Sequence, residues 1–136
     1  GSVSGSYKLS EVSNFADFES NLEEKQRLPL GQQPEAFVIA ASKSHLTEST
    51  KKFIDRKRDE LFEVEVISKG SSLKICMVAE GAVDCYPRFG TTMEWDTAAG
   101  HAICRNAGAQ ILDLNQNPLI YNKIDLRNAE FLCKIN

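Results

Sequence analysis

Ala36–Ala41 (AFVIAA) is a continuous apolar run, and it reads as a strand buried on both faces. What precedes it is different. Residues 1–6 are Gly/Ser-rich and linker-like, and Tyr7–Leu9 reads as a short strand. From Glu11 to Glu35 the chain is polar, with Phe15, Phe18 and Leu22 at nearly helical spacing and breakers at Pro29, Gly31 and Pro34. That pattern predicts a surface connection holding one short helix. After the apolar run, Ser42-Lys43-Ser44-His45 forms a polar turn. Thr47 then caps a helix with Phe53, Ile54, Leu61 and Phe62 on one face. Glu63–Ile67 alternates as a half-exposed strand does.

Gly70-Ser71-Ser72 opens an apolar helix that reaches Ala79 and stops near Gly81. Val83–Tyr86 is a short strand ended by Pro87. Trp95–Ala107 is a helix with Ala99, Ile103 and Ala107 on its apolar stripe and Gly108 just past its end. Ile111–Leu114 and Phe131–Ile135 are two further strands, divided by the turn Asn115-Gln116-Asn117-Pro118. Strands and helices alternate, so the expected class is α/β: one mixed central sheet flanked by helices.

Composition narrows the function classes. With 136 residues, 42% hydrophobic and 26% charged, the chain is neither disordered nor fibrous. Its net charge of −3 and the lack of a basic stripe argue against nucleic-acid binding. No apolar run approaches the ~20 residues of a membrane span, and none has the form of a signal peptide. Cys76, Cys85, Cys104 and Cys133 form no metal-ligand spacing, and three sit in apolar stretches. They read as reduced structural thiols, which predicts a cytoplasmic protein, at most peripheral to the inner membrane. The Gly-Ser start without Met reads as a processed or engineered end.

Three segments join a strand end to a helix start and are rich in small polar groups, the setting in which α/β folds bind anions. Ser42-Lys43-Ser44-His45 offers hydroxyls, amides and an imidazole; by itself it reads first as a capped turn. Gly70-Ser71-Ser72-Leu73-Lys74 places a cation in the first helical turn, against the helix dipole, which favours a phosphate nearby. It lacks the spacing of a P-loop. In Trp95-Asp96-Thr97-Ala98-Ala99-Gly100-His101, Asp96 is either a helix cap or a ligand for a hard divalent cation, and His101 is a packing or surface residue. Arg88 is a surface arginine or a fork-like clamp on a phosphate.

Taken together, SKSH (42–45), GSSLKICMVAEG (70–81), YPRFGTT (86–92) and EWDTAAGHAI (94–103) resemble the carboxy-terminal half of the inositol monophosphatase superfamily. The S-x-S-H turn, the GSSLK helix start and the YPRFG loop favour its 3′(2′),5′-bisphosphate nucleotidase branch, over roughly residues 36–136. The resemblance implies a Mg²⁺-dependent phosphatase that converts adenosine 3′,5′-bisphosphate, a by-product of sulfate assimilation, to AMP by in-line attack of a metal-activated water. It implies Asp96 as a metal ligand at the substrate, Ser42, His45, Ser71 and Lys74 as contacts to nucleotide or phosphate, and Arg88 in the substrate loop.

One departure changes the expectation. The family's D-P-[IL]-D-G-T signature and its upstream Glu-Glu segment supply most metal ligands and the water-activating carboxylate, and neither occurs here. Glu23-Glu24 has no such signature after it and takes no role. The reading is therefore residues 7–136 as a C-terminal phosphatase domain without its N-terminal metal-binding domain, inactive unless joined to it. Inositol monophosphatase or another sugar-phosphate phosphatase is the alternative within the class. A non-catalytic nucleotide-binding or interaction module is the alternative outside it.

Overall fold

The computed structural model describes residues 5–9, 12–21, 25–31, 35–42 and 46–135. His45 and the Glu23-Glu24 pair lie outside the described residues, as does most of the Gly/Ser start. The elements run β1 (Tyr7–Lys8), α1 (Phe15–Ser20), β2 (Gln26–Arg27), β3 (Phe37–Ala41), α2 (Glu48–Glu60) and β4 (Val64–Ser68). They continue with α3 (Leu73–Glu80), β5 (Cys85–Arg88), α4 (Glu94–Asn106), β6 (Ala109–Asp113) and β7 (Phe131–Ile135).

A five-stranded sheet in the order β4-β3-β5-β7-β6 carries the fold, while β1 and β2 pair separately as an antiparallel ribbon. β3 runs parallel to both β4 and β5; β7 runs antiparallel to β5 and β6. The sheet is mixed, as expected, and both its faces are covered. Successive residues of β3 point to opposite faces: Val38 and Ala40 join Ile75, Val78 and Cys104 of α3 and α4, whereas Ile39 and Ala41 join Phe53 and Ile54 of α2. That double burial is why β3 reads as an unbroken apolar run rather than an alternating one.

Thr47 caps α2 as expected, accepting the N–H of Thr50 at 3.2 Å. The helix ends at Glu60, however, so Leu61 and Phe62 extend past it into solvent instead of prolonging its apolar face.

Two other expectations are corrected. Pro87 lies inside β5, where its Cα pairs with Leu132 of β7. The parallel ladder to β3 ends at Cys85, so the outer part of β5 is flanked by a strand on one side only, and a residue without an N–H is tolerated there. In α4 the buried stripe is Glu94, Thr97, Gly100 and Cys104; Ala99 is exposed and Ile103 half-buried. Polar and Gly positions form that stripe, so hydrophobic periodicity does not locate it.

Candidate anion cavity at the carboxyl ends of the parallel strands

β3, β4 and β5 point their carboxyl ends toward one edge of the sheet, the edge at which open α/β sheets bind ligands. A cavity of about 470 Å³ opens there. It collects Ser42 after β3, Ser68 at the end of β4 and Lys69–Ser72 after it, Tyr86 and Arg88 of β5, and Lys74, Asp96 and Thr97 from the first turns of α3 and α4. Five of the six sequence-predicted site residues (Ser42, Ser71, Lys74, Arg88 and Asp96) line this single space.

The turn into α3 is shaped for close approach. Ser71 adopts φ 46°, a left-handed conformation uncommon outside glycine. Lys74 is buried, and its Nζ donates to the carbonyls of Lys69 at 2.9 Å and Ser71 at 3.0 Å. The same ammonium stands over the Tyr86 ring. Burial lowers the Lys74 pKa from its ordinary value, and the neighbouring Arg88 guanidinium lowers it further. Arg88 Nη2 donates to Thr91 O at 3.3 Å, and its buried Nε has no partner among the described residues.

Asp96 sits at the third position of α4. Its Oδ2 accepts the Met93 N–H at 2.8 Å, so it caps the helix, and it also lines the cavity. Gly100 sets how near α4 comes to α3. A Cβ placed on it would lie 2.8 Å from Ile75 Cγ2, so only glycine permits this approach. Ile75 follows Lys74 directly, so the contact brings the Lys74 and Asp96 turns together.

His101 is elsewhere. It lines a second, more apolar cavity of about 780 Å³, with Nδ1 2.8 Å from the Tyr121 hydroxyl. Sequence reasoning passed over Lys69, Tyr86, Thr92 and Thr97 as members of the site. Lys69 stands one residue before a quoted motif, and Tyr86, Thr92 and Thr97 are inside quoted motifs without having been given a role.

The lining carries Lys69, Lys74 and Arg88 against the single carboxylate of Asp96. A cationic, hydroxyl-rich space of this size suits a phosphate group. It does not by itself suit Mg²⁺, which takes an octahedron of oxygen ligands, because the three side-chain cations repel the ion and only one carboxylate attracts it. Among the described residues no group of three His, Cys, Asp or Glu could hold a metal ion. Nor is any helix there long and apolar enough to cross a membrane.

Comparison with known proteins identifies the family. The chain is 45% identical over 84 residues to the 3′(2′),5′-bisphosphate nucleotidase CysQ of Escherichia coli K12, a match covering 62% of this chain and 32% of that protein. It superposes on the crystal structure of CysQ from Bacteroides thetaiotaomicron, a bacterial member of the inositol monophosphatase family, with a TM-score of 0.88 and 43% identity. That superposition covers 98% of this chain and 51% of the other. Staphylococcal IMPase-II shares the fold at TM-score 0.61 and 23% identity, over 82% of this chain and 43% of that one. The chain thus spans about a third of the curated relative and half of the solved CysQ. The inositol monophosphatase family profile matches residues 11–133, and this chain belongs to that family.

Proposed function

We propose that this chain is the phosphate-cradling part of a phosphoric monoester hydrolase of the 3′(2′),5′-bisphosphate nucleotidase type, acting on adenosine 3′,5′-bisphosphate. The observation that carries the reading is the charge of the cavity, with Lys69, Lys74 and Arg88 facing one carboxylate. Lys74 and the Ser71 turn hold the phosphate to be cleaved. Ser42 donates its hydroxyl from the end of β3, and Arg88 offers an unpartnered Nε to a second phosphate. His45 joins this set on the strength of the SKSH motif. A basic residue at position 88 favours a bisphosphate over an inositol phosphate, whose hydroxyls call for an acceptor.

Asp96 would be one oxygen ligand for Mg²⁺, the remaining carboxylates coming from a further domain of a longer polypeptide. That domain, rather than nucleic acid, is the proposed macromolecular partner. The resemblance to CysQ supports this reading, as does the match of 98% of the chain to half of a CysQ structure.

Calorimetric titration of the chain with adenosine 3′,5′-bisphosphate, AMP and inositol 1-phosphate tests it. The bisphosphate is expected to bind about tenfold more tightly than either monophosphate, one added charged hydrogen bond being worth that much. Equal affinities would sink the substrate assignment. Failure of inorganic phosphate to compete would sink the site.

A further inference from the structure

Between β6 and β7 the chain runs through residues 114–130 without helix or strand, long for a connection inside a compact fold. The second half of this connection is pinned to the first turn of α4. Leu126 O accepts the Glu94 N–H at 2.9 Å, and Asn128 N–H donates to Thr92 O at 2.8 Å. The Glu94 carboxylate accepts the N–H groups of Asn122 and Lys123 and pairs with the Lys123 ammonium. At the centre is Asn128, buried, whose two Nδ2 hydrogens face Met93 O and Thr97 Oγ1, each at 2.9 Å, while Thr92 Oγ1 shares one of them at 3.2 Å. Met93 O can only accept, which fixes the orientation of the amide.

All three partners belong to the site. Thr92 and Thr97 line the anion cavity, and Met93 is the residue whose N–H Asp96 accepts. Asn128 does not line the cavity. The Thr97 hydroxyl, which donates to Glu94 O at 3.3 Å, also takes the Tyr121 hydroxyl at 3.3 Å. Its lone pairs are therefore spent on Asn128 and Tyr121, and its rotamer is set.

We propose that Asn128 is a positioning residue for the anion cavity: its backbone N–H and side-chain amide hold Thr92, Met93 and Thr97, and so fix the Thr92 hydroxyl, whose proton is free for the anion, at the start of α4. The inference rests on the reading of the cavity as a phosphate site. It adds a determinant that lies outside every motif of the sequence and reaches the site from a segment remote along the chain.

The probe is inorganic phosphate, titrated into the ¹⁵N-labelled chain and followed by NMR. The Asn128 side-chain amide pair, identified by its loss in Asn128→Ala, is expected to shift along the same saturation curve as the Ser71 and Thr97 amides. Asn128→Ala is expected to weaken phosphate binding about tenfold, the worth of the Thr92 hydrogen bond that is no longer held in place. Ile111→Val, a core change away from the cavity, lowers the unfolding midpoint and leaves phosphate binding as in the parent chain. If Asn128→Ala does not fold, Thr97→Val replaces it with the same expected loss, and Thr97→Ser restores binding. An unmoved Asn128 amide during saturation would overturn the proposal alone, as would unchanged affinity in Asn128→Ala or Thr97→Val. Absence of phosphate binding by the parent chain would overturn the cavity reading and the proposal together.

Discussion

The ammonium of Lys74 stands 5.0 Å from the centroid of the Tyr86 ring, and both groups line the anion cavity. The ring face and two backbone carbonyls hold the charge in place, and no carboxylate among the described residues pairs with it, so an incoming phosphate is the anion it lacks. Phosphate favours the charged amine and raises its pKa from the lowered value of the free chain. Binding then takes up a proton at alkaline pH, and affinity falls as pH climbs through that lowered value. Calorimetry across the alkaline range is expected to show this limb in the parent chain. Lys74→Met removes the limb and weakens binding at neutral pH by about 1.5–3 kcal/mol, the worth of a charged hydrogen bond. The same variant is expected to unfold no more easily, because it removes a buried charge whose protonated form the fold disfavours. A limb that persists in Lys74→Met would assign it to another group.

Asp96 yields a prediction of opposite sign with and without metal. In the metal-free chain its carboxylate repels phosphate, and Asp96→Asn keeps an oxygen for the Met93 N–H while losing the charge. Phosphate affinity is therefore expected to rise about two- to tenfold, the scale of one nearby charge at a partly solvated site. The chain itself is expected to bind Mg²⁺ no more tightly than ~1 mM, since one carboxylate is too few. In a longer polypeptide with phosphatase activity, Asp96→Asn is expected to lower kcat/KM severely, as removal of a metal ligand does. Micromolar Mg²⁺ binding by the chain would contradict the single-carboxylate account.

These two residues were legible in the sequence because each follows a local rule, a small-residue turn or a cap at a helix start. β3 and β7 were legible for a similar reason, as short apolar runs. Lys69 was passed over although it shares the turn of Ser71, whereas Tyr86 meets Lys74 because β5 joins the sheet beside β3, and strand order is not a property of any one segment. The stripe of α4 was misread because Glu94, Thr97 and Gly100 are buried for hydrogen bonding and close approach rather than for hydrophobicity. Asn128 was invisible because its three partners lie more than thirty positions away.

Gly100 tests whether the approach of α4 to α3 holds the site in shape. An alanine there drives its Cβ to 2.8 Å from Ile75 Cγ2, and Ile75 is itself buried. Overpacking of this kind costs about 1–3 kcal/mol, readable as a lower urea midpoint at unchanged slope. Ile75→Ala is expected to cost less in the Gly100→Ala background than in the parent, because the cavity it leaves takes up the new methyl. Additive losses in the double variant would show that the two side chains do not meet.

The four cysteines give a prediction that separates packing from reactivity. All are free thiols, and Cys104 and Cys133 lie with their sulfurs 3.6 Å apart inside the core. The hydrogen bond with Cys104, followed by burial, pushes the Cys133 thiol up. Burial pushes Cys85 up to about 12. Thiolate is the reactive form, so these groups are protected twice, by access and by protonation. Cys76 is only half-buried, and burial raises its pKa to a smaller extent. Brief alkylation of the native chain at neutral pH, followed by peptide mass spectrometry, is expected to label Cys76 first. Cys85, Cys104 and Cys133 should react only at the rate of unfolding, and should do so together once denaturant is added. Modification of Cys104 or Cys133 as fast as Cys76 in the native chain would mean that α4 opens from the sheet. The packing of Gly100 on Ile75 would then be too loose to hold Lys74 and Asp96 in one cavity.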